Sequence, residues 1–236
     1  MKKTQHNDMR ETTSFDKNWQ GIVAKGSLAF GIELSLQQLD LFTGHAEELI
    51  KWNKKINMTA IVNPFDVALK HFIDSIAIIP YIPDGSRVID LGSGGGFPGM
   101  PLKVVNPSLD VVMVDASEKK ISFINNLIRK TGMTGVKAVH CRAEDLSKQP
   151  EYAHKFDFVI SRAFTALSGF IEMGLPLIKK KETEQQGTIL AMKGELKPDE
   201  LAPLVDRKDI TTEIEEYFLP FENHKRCIVK IRLSNF

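Results

Sequence analysis

Cysteine is scarce in this sequence. Among 236 residues only Cys141 and Cys227 occur, far apart and in no C-x-x-C pair. That usage rules against a disulfide framework and against a structural zinc site, so we expect no metal centre. A reducing cytosol suits such a chain.

Long apolar runs are also missing. No stretch approaches the length of a membrane span. The N-terminus begins with two lysines after Met1 but lacks the apolar region of a secretory signal. We therefore expect a cytoplasmic protein without membrane contact, and its 42% hydrophobic composition is ample for a packed core.

Neither sign of charge is in excess. Lysine and arginine number 31 against 30 acidic residues, a formal net charge of +1. The chain as a whole is therefore no basic coat for nucleic acid. Any contact with nucleic acid needs a local basic patch, because net charge averages over all faces.

The first third of the chain predicts helices. Residues 1–18 are polar and are interpreted as a disordered tail, and 19–82 as an N-terminal helical extension. Ser35 and Gln38 have capping-box spacing before an apolar stripe that recurs every three or four residues. Asn63-Pro64 opens a further helix that runs to about residue 79.

From Arg87 onward short β-branched segments alternate with helical ones. This order predicts βαβ units and a mostly parallel α/β sheet with both faces covered. The last two strands, roughly 210–219 and 226–233, follow each other with only a turn between them. They must form a hairpin, so we expect seven strands with an antiparallel edge in a second domain, 83–236.

The stretch VIDLGSGGGFPG, residues 88–99, is a glycine turn after the first strand. Read from Gly94 it spells G-x-G-x-x-G, the pattern of a dinucleotide-binding turn, which keeps an NAD(P)-dependent oxidoreductase as one hypothesis. In that fingerprint, however, the first glycine follows the strand directly. Here that residue is Gly92, and the third glycine position is then Phe97. Gly95 and Gly99 could simply serve chain geometry.

Two carboxylates flank the turn in the predicted sheet. Asp90 precedes the glycines, where it would repel a pyrophosphate but suits a ligand with ammonium and sulfonium charges. Asp115 ends the second strand, the place of a ribose-binding acid. With the hairpin, this pattern indicates S-adenosylmethionine. The alternatives are that Asp90 caps backbone amides and that Asp115 caps the next helix, although Ser117 could do so.

Missing motifs narrow the acceptor chemistry. After the fourth strand, where amino-group methyltransferases carry N/D-P-P-Y/F, the chain reads Ser161-Arg162-Ala163-Phe164. Neither cysteine adjoins a proline, as the nucleophile of pyrimidine C5 methylation usually does. Guanine N7 has a free lone pair and needs mainly positioning and desolvation. Small-molecule sulfur or nitrogen acceptors would satisfy the same reasoning and stay open.

Basic residues near predicted strand ends favour RNA. Lys119 and Lys120 begin the helix after Asp115, while Lys193 and Arg226 lie near the ends or starts of later strands. Such side chains could converge and carry phosphates. The alternative for the lysines is a solvated surface, and for Arg162 and Lys193 a structural salt bridge.

Several segments together resemble one family. VIDLGSGGGFPGMPLKVV, VDASEKKISFI, CRAED, FDFVISRAF and AMKG are similar to the 16S ribosomal RNA methyltransferase G family, also called glucose-inhibited division protein B. KWNKKINMTAI and KHFIDS resemble its N-terminal helices. The resemblance covers roughly residues 35–233. The F-P-G and S-R-A segments are more specific than the glycines.

The resemblance implies a Rossmann-like class I S-adenosylmethionine-dependent methyltransferase. Its product would be 7-methylguanosine at a single guanine, position 527 in the 530 loop of 16S rRNA. The partner would be 16S rRNA or the 30S ribosomal subunit, and we expect a monomer. An assembly factor that only binds RNA is the non-enzymatic alternative.

The resemblance and the turn together define the predicted site. Arg162 would position substrate or cofactor, with no general base required. The predicted cofactor contacts are Asp90, Gly92, Ser93, Gly94, Phe97, Asp115, Ala116, Ser117, Ala143, Glu144 and Arg162. The predicted RNA contacts are Lys119, Lys120, Lys193 and Arg226.

Overall fold

One seven-stranded sheet organises the protein. The computed structural model describes residues 12–162, 166–180, 187–196, 198–205, 207–222 and 224–234. Its strands are β1 Arg87–Leu91, β2 Asp110–Asp115, β3 Val136–His140, β4 Phe158–Arg162, β5 Thr188–Lys193, β6 Ile210–Phe218 and β7 Lys225–Leu233.

The strand order is β3-β2-β1-β4-β5-β7-β6. β1 to β5 pair in parallel, whereas β7 is antiparallel to both β5 and β6. The predicted parallel sheet with a terminal antiparallel hairpin is thus confirmed. Because β1 lies between β2 and β4, the chain changes direction across the sheet at β1, and this is where α/β folds bind ligands.

Helices lie before and between the strands. Their bounds are Lys17–Leu28, Leu36–Ile56, Pro64–Val67, a π-helical segment Ala68–Ile73, Asp74–Ile76, a 3-10 turn Ile79–Tyr81, Gly99–Val105, Glu118–Thr131, Ala143–Leu146, Leu167–Gly174 and Pro198–Val205.

Both faces of the sheet are buried, as the near-continuous apolar strands predict. Successive residues alternate between two cores. Val88 and Met113 pack with the N-terminal helices, whereas Ile89 and Val112 pack with the helices that follow β3, β4 and β5. The N-terminal helices therefore share one core with the sheet. The domain boundary at residues 82 and 83 falls in the loop before β1 and stays a prediction.

The capping box at the start of the helix Leu36–Ile56 is present. The Gln38 amide N–H donates to Ser35 Oγ at 3.2 Å, and the Ser35 N–H donates to Gln38 Oε1 at 2.9 Å. The preceding helix begins at Lys17, two residues before the predicted start, because the Asp16 carboxylate caps it. Residues 1–11 of the predicted tail lie outside the described residues.

The helix that follows β4 ends at Gly174, because Pro176 lacks the N–H that would continue the helical hydrogen bonds. The helix that opens at Asn63 ends at Ile76 rather than near 79. Within the described ranges, no helix is long and apolar enough to cross a membrane. Nor do three or more His, Cys, Asp or Glu side chains gather there as a metal site.

Candidate active site

The glycine turn leaves β1 at the edge where the parallel strands end. The Gly92 and Ser93 N–H groups both donate to the Val114 carbonyl at the end of β2, at 2.8 and 3.0 Å. Gly92, Gly94 and Gly96 have φ of 72°, 55° and 84°, a region that residues with a Cβ rarely adopt. The backbone therefore follows the register that counts from Gly92, not the literal fingerprint that starts at Gly94.

Gly95 and Gly99 serve packing. A Cβ on Gly99 would lie 2.7 Å from Met113 Cγ, and one on Gly95 would lie 2.9 Å from Leu49 Cδ1. By contrast, a Cβ on Gly94 would meet nothing nearer than the Gly92 carbonyl at 3.9 Å. The turn thus presents open space at Gly94 and tight packing on either side.

Asp90 lies beneath the turn and is fully buried. Its Oδ2 accepts the Gly99 N–H at 2.9 Å, so the capping contact considered from the sequence is present. Its Oδ1 is buried without a hydrogen-bond partner within the described residues. Burial raises the pKa of the Asp90 carboxyl to about 7. Asp90 as a direct cofactor contact stays a prediction.

Asp115 ties the turn to the end of β2. Its Oδ2 accepts the Gly94 N–H at 2.9 Å, and its Oδ1 accepts the Ser117 N–H at 2.8 Å. The Ser117 side chain makes no cap hydrogen bond. Asp115 Oδ1 thus binds the N–H of the N-cap residue itself and not the N–H groups of the first helical turn, and the carboxylate lies beside the open space at Gly94.

The remaining cofactor candidates lie at the same edge of the sheet. Asp115 pairs with His140 at the ends of β2 and β3, and the Ala116 carbonyl is 3.1 Å from His140 Nε2. The short helix that follows β3 begins with Ala143, which is buried, and Glu144, which is exposed. The topology thus places these residues along the strand next to Asp115.

A cavity of about 160 Å³ opens over the glycine turn. It is lined by Leu49, Met58, Thr59, His71, Gly92, Ser93, Gly94, Gly95, Phe97 and Arg162. We call it the glycine cavity. It brings together five of the predicted site residues from two separate parts of the chain, namely Gly92, Ser93, Gly94, Phe97 and Arg162.

A second cavity of about 590 Å³ adjoins the first. It is lined by Ile61, Lys70, His71, Asp74, Arg162, Met192, Lys193, Gly194 and Arg226. We call it the basic cavity. The two cavities share His71 and Arg162 as lining residues. A ligand in one cavity would therefore lie next to a ligand in the other, with these two side chains at the boundary.

Arg162 is held at this junction by the π-helical segment. Its Nη1 donates to the carbonyl oxygens of Lys70 at 2.6 Å and His71 at 3.2 Å. Its guanidinium also lies over the Phe97 ring, 5.2 Å from the centroid, and 3.9 Å from the Asp74 carboxylate. π-Helical segments occur frequently at functional sites. Here the segment provides the acceptors that orient the guanidinium.

His71 is neutral in this arrangement. Arg162 Nη2 lies 3.0 Å from His71 Nδ1, and because arginine only donates, Nδ1 must accept. The proton is then on Nε2, which donates to Thr59 Oγ1 at 3.0 Å. Burial, followed by the nearby Arg162 charge, lowers the pKa of His71 to about 2. Both ring nitrogens are engaged, so His71 positions Arg162 rather than accepting a proton.

Phe97 is clamped between two histidines. Its ring stacks on His45 and on His71, each with centroids 4.6 Å apart. His45 Nε2 donates to the Gly95 carbonyl at 2.7 Å, and burial lowers the pKa of His45 to about 4. Sequence reasoning missed this stack. A signal existed, since His45 lies three residues after Phe42 on the buried stripe of its helix.

The predicted RNA contacts have carboxylate neighbours. Lys193 Nζ is 2.6 Å from Glu200, and Arg226 Nε is 3.5 Å from Asp74, which also accepts from the Tyr217 hydroxyl at 2.8 Å. The salt-bridge alternative is therefore present for Lys193, and the two side chains nevertheless line the basic cavity.

The remaining two predicted RNA contacts lie outside both cavities. Lys120 is 3.8 Å from Asp115, and Lys119 is exposed. Of the S-R-A segment, Ala163 lies outside the described residues.

Comparison with known proteins identifies the family. The model of rRNA small subunit methyltransferase G matches residues 38–229. The chain is 41% identical to ribosomal RNA small subunit methyltransferase G of Geobacter sp. strain M21, over 89% of this chain and 95% of that protein. It is 37% identical to the protein of the same name from Desulfitobacterium hafniense strain Y51, over 86% and 84%.

Solved structures agree on the fold. An O-methyltransferase from Bacillus cereus in complex with SAH superposes with a TM-score of 0.56 at 16% identity, over 80% of this chain and 90% of that one. A SAM-dependent methyltransferase from Aquifex aeolicus gives 0.53 at 16% identity, over 79% and 97%. The sheet with its terminal hairpin is thus a methyltransferase fold, and the chain belongs to the rRNA small subunit methyltransferase G family.

Proposed function

We propose that this protein transfers a methyl group from S-adenosylmethionine to ribosomal RNA of the small subunit. The observation that carries the proposal is the meeting of the glycine cavity and the basic cavity at Arg162 and His71, in a chain of this family. An in-line displacement needs a donor and an acceptor on opposite sides of one point. The two adjoining cavities provide such an arrangement.

The residues of the glycine cavity fit the cofactor. Gly94 leaves unfilled space where a side chain would stand, and the Asp115 carboxylate beside it suits ribose hydroxyls. The buried Asp90 carboxyl beneath the turn has one oxygen without a partner within the described residues. When bound, S-adenosylmethionine supplies a methyl group on a sulfonium. Gly92, Ser93, Gly94 and Phe97 would hold it, with Asp115, Ala116, Ser117, Ala143 and Glu144 along the adenosine side.

The basic cavity fits a nucleotide of the RNA. Lys70, Lys193, Arg162 and Arg226 line it against the single carboxylate of Asp74. Its volume of about 590 Å³ lies within the range of small-ligand sites, roughly 300–1,000 Å³. Lys70 and Lys193 are also paired with Asp66 and Glu200, so the four cations are matched by three carboxylates in all. The remaining positive charge favours phosphate, so the acceptor class this cavity supports is RNA rather than a neutral small molecule.

We further propose guanine N7 as the acceptor, at the position in 16S rRNA that the family resemblance implies. N7 carries no proton and must keep its lone pair for the transfer. A cation that binds the guanine must therefore reach O6 or a phosphate, and Arg162 is the donor at the junction. The absence of a proton to remove agrees with His71, whose two nitrogens are both engaged.

Cys227 does not support pyrimidine C5 methylation. Cys227 pairs with Lys193 across β5 and β7, close to the basic cavity, but it is buried and its Sγ lies 3.1 Å from the Gly194 carbonyl. Burial raises the pKa of the Cys227 thiol to about 11. A thiol of that pKa is not a thiolate nucleophile at neutral pH.

The proposal is tested by methylation and mapping. Purified protein is incubated with tritiated S-adenosylmethionine and either protein-free 16S rRNA or 30S subunits. The product is mapped by cleavage at 7-methylguanosine and primer extension. We expect label at one guanine of the 530 loop. We also expect the protein to be a monomer in solution. Complete N7 methylation of that guanine in rRNA from cells that lack the gene would refute the proposal.

A further inference from the structure

A third cavity lies outside the site described above. It has a volume of about 340 Å³ and lies between the helices Leu36–Ile56 and Glu118–Thr131. Its lining residues are Glu48, Lys51, Trp52, Lys55, Ile56, Asn126 and Lys130. The proposed methyl transfer uses none of them.

An aromatic ring forms part of the wall of this cavity. Trp52 is half-buried, and its ring packs edge to face on Phe123 at 5.6 Å between centroids. Its Nε1 donates to Glu48 Oε2 at 3.3 Å, which fixes the indole within the wall. A fixed, partly exposed indole is the kind of platform on which an unpaired base stacks, regardless of its sequence.

The charge around the indole is positive. Three lysines, Lys51, Lys55 and Lys130, line the cavity against the one carboxylate of Glu48, a net charge of two positive units. Lys130 Nζ is 2.6 Å from Glu48, and this contact holds the pKa of the Glu48 carboxyl below its usual value. Lys51 Nζ also lies 3.5 Å from Glu48 Oε1, so two lysines share this one ionised carboxylate. The excess of two positive charges remains for an anionic ligand.

The cavity lies beside the glycine cavity along the same helix. Leu49 lines the glycine cavity, and its neighbours Glu48 and Trp52 line this third cavity. One RNA strand could therefore extend from the site of methyl transfer across Leu49. A hydrophobic protein segment is a poorer fit, because it would bury lysines without partners.

We propose that this third cavity binds an unpaired base of the rRNA substrate, stacked on Trp52, with adjacent phosphates on Lys51 and Lys55. The inference rests on the proposed function for the identity of its RNA. It assigns a binding role that the methyl-transfer site itself does not require.

Tryptophan fluorescence tests the stacking directly. The chain has two tryptophans, and Trp19 is fully buried. Protein-free 16S rRNA should quench the emission of Trp52, whereas inorganic polyphosphate, which has charge but no bases, should not. The Trp52→Phe variant should lose the quenching and keep RNA affinity. Equal quenching by both polyanions, or none at saturating RNA, would overturn the proposal.

The second test measures the steady-state kinetics of methylation with 30S subunits as substrate. Trp52→Ala should raise KM for the subunit at least about fivefold while kcat and cofactor affinity stay unchanged, because stacking adds binding without touching the chemistry. Trp52→Phe should restore KM. Lys55→Ala should raise KM, and Lys155→Ala, an exposed lysine at the opposite edge of the sheet, should not.

The outcomes separate this inference from the proposed function. If the unaltered protein methylates 30S subunits and Trp52→Ala has an unchanged KM, only the third cavity is misassigned. If Trp52→Ala weakens binding to 30S subunits but not to protein-free rRNA, the occupant is a ribosomal protein and the proposal fails. If the unaltered protein methylates neither substrate, the proposed function itself fails.

Discussion

Arg162 shows how a single side chain can be fixed between two cavities. Its Nη1 donates to the carbonyls of Lys70 and His71 and its Nη2 to the neutral His71 ring, so the guanidinium has little freedom. Its side chain is only 15% exposed. Such a planar group presents several donors in fixed directions, which a lysine ammonium cannot reproduce.

Arg162→Lys should therefore lower kcat for rRNA methylation by about 100-fold, the scale of a small misplacement at the reacting centre. Cofactor affinity, measured by calorimetry, should fall much less. Arg207→Lys is the matched control, since Arg207 pairs with Glu172 and Asp209 at the other end of the sheet. A near-normal kcat in Arg162→Lys would show that Arg162 does not position the substrate or the cofactor.

Three buried titratable groups set the acid response of the fold. The pKa values of His45 and His71 are lowered to about 4 and about 2. Between about pH 6 and 5 the unfolded chain therefore binds nearly two protons that the folded chain does not. The pKa of Asp90 is raised to about 7, so in this range the folded chain binds one proton that the unfolded chain does not.

Two protons less one leaves one, so the free energy of unfolding should fall by about 1.4 kcal/mol per pH unit from pH 6 to 5. Urea titrations at several pH values measure it. Asp90→Asn removes the opposing carboxyl and should steepen the loss to about 2.7 kcal/mol per pH unit. A stability that is flat or rises toward pH 5 in the unaltered protein would contradict the neutral histidines.

At the scale of elements, the glycine turn and the helix Leu36–Ile56 form one unit. His45 and Leu49 of that helix touch Gly95, and Phe97 stacks between His45 and the π-helical segment. The N-terminal helices thus pack on one side of the glycine turn. On the other side, Asp90 and Asp115 accept hydrogen bonds from its backbone N–H groups. Within this unit the space at Gly94 stays open.

Gly94→Ala should weaken cofactor binding more than it destabilises the fold. The φ of 55° makes alanine strained by about 1 kcal/mol, and the added methyl enters the open space rather than a packed contact. Cofactor affinity should fall at least about tenfold in calorimetry, and the thermal midpoint by only a few degrees. Gly44→Ala, in a helix with nothing within 4 Å, should leave binding intact and raise stability. Unchanged cofactor affinity in Gly94→Ala would place the ligand elsewhere.

At the scale of the whole molecule, a near-neutral net charge coexists with a local positive patch. The net charge is +1, yet four cations line the basic cavity. Asp74, Asp66 and Glu200 match three of them, which leaves one positive charge in excess. Lys193 and Arg226 reach it from β5 and β7, whose antiparallel pairing brings residues 193 and 227 opposite each other. The terminal hairpin therefore contributes to the proposed RNA site as well as to the sheet.

This patch predicts a salt dependence confined to the RNA. With about three phosphate contacts, KM for rRNA should rise about 20- to 40-fold between 50 and 200 mM salt, while cofactor affinity changes little. Lys193→Ala should lower the slope of log KM against log salt by about one, and Lys155→Ala should leave it unchanged. The same slope in Lys193→Ala would show that Lys193 stays with Glu200 and contacts no phosphate.

Short-range interactions along the chain determine many of the secondary-structure elements, and the sequence by itself was sufficient to predict these. Short β-branched segments predicted the strands from Arg87 onward, and the capping box predicted the start of the helix at Leu36. The lack of a helical segment between the last two strands predicted the terminal hairpin. The register from Gly92 followed from the end of a strand. These features depend on residues close together in the chain, so periodicity, caps and turn residues are sufficient to predict them.

Only the tertiary structure decided how the site is assembled. His45, His71 and Phe97 come from distant segments, and nothing local to Phe97 predicts two histidine rings on its faces. The hydrogen bond from Gly99 to Asp90, the salt bridge between Lys193 and Glu200, and the position of Arg162 between two cavities likewise depend on long-range packing. Sequence patterns predict which residues can act, and the packing of helices against the sheet decides which of them meet.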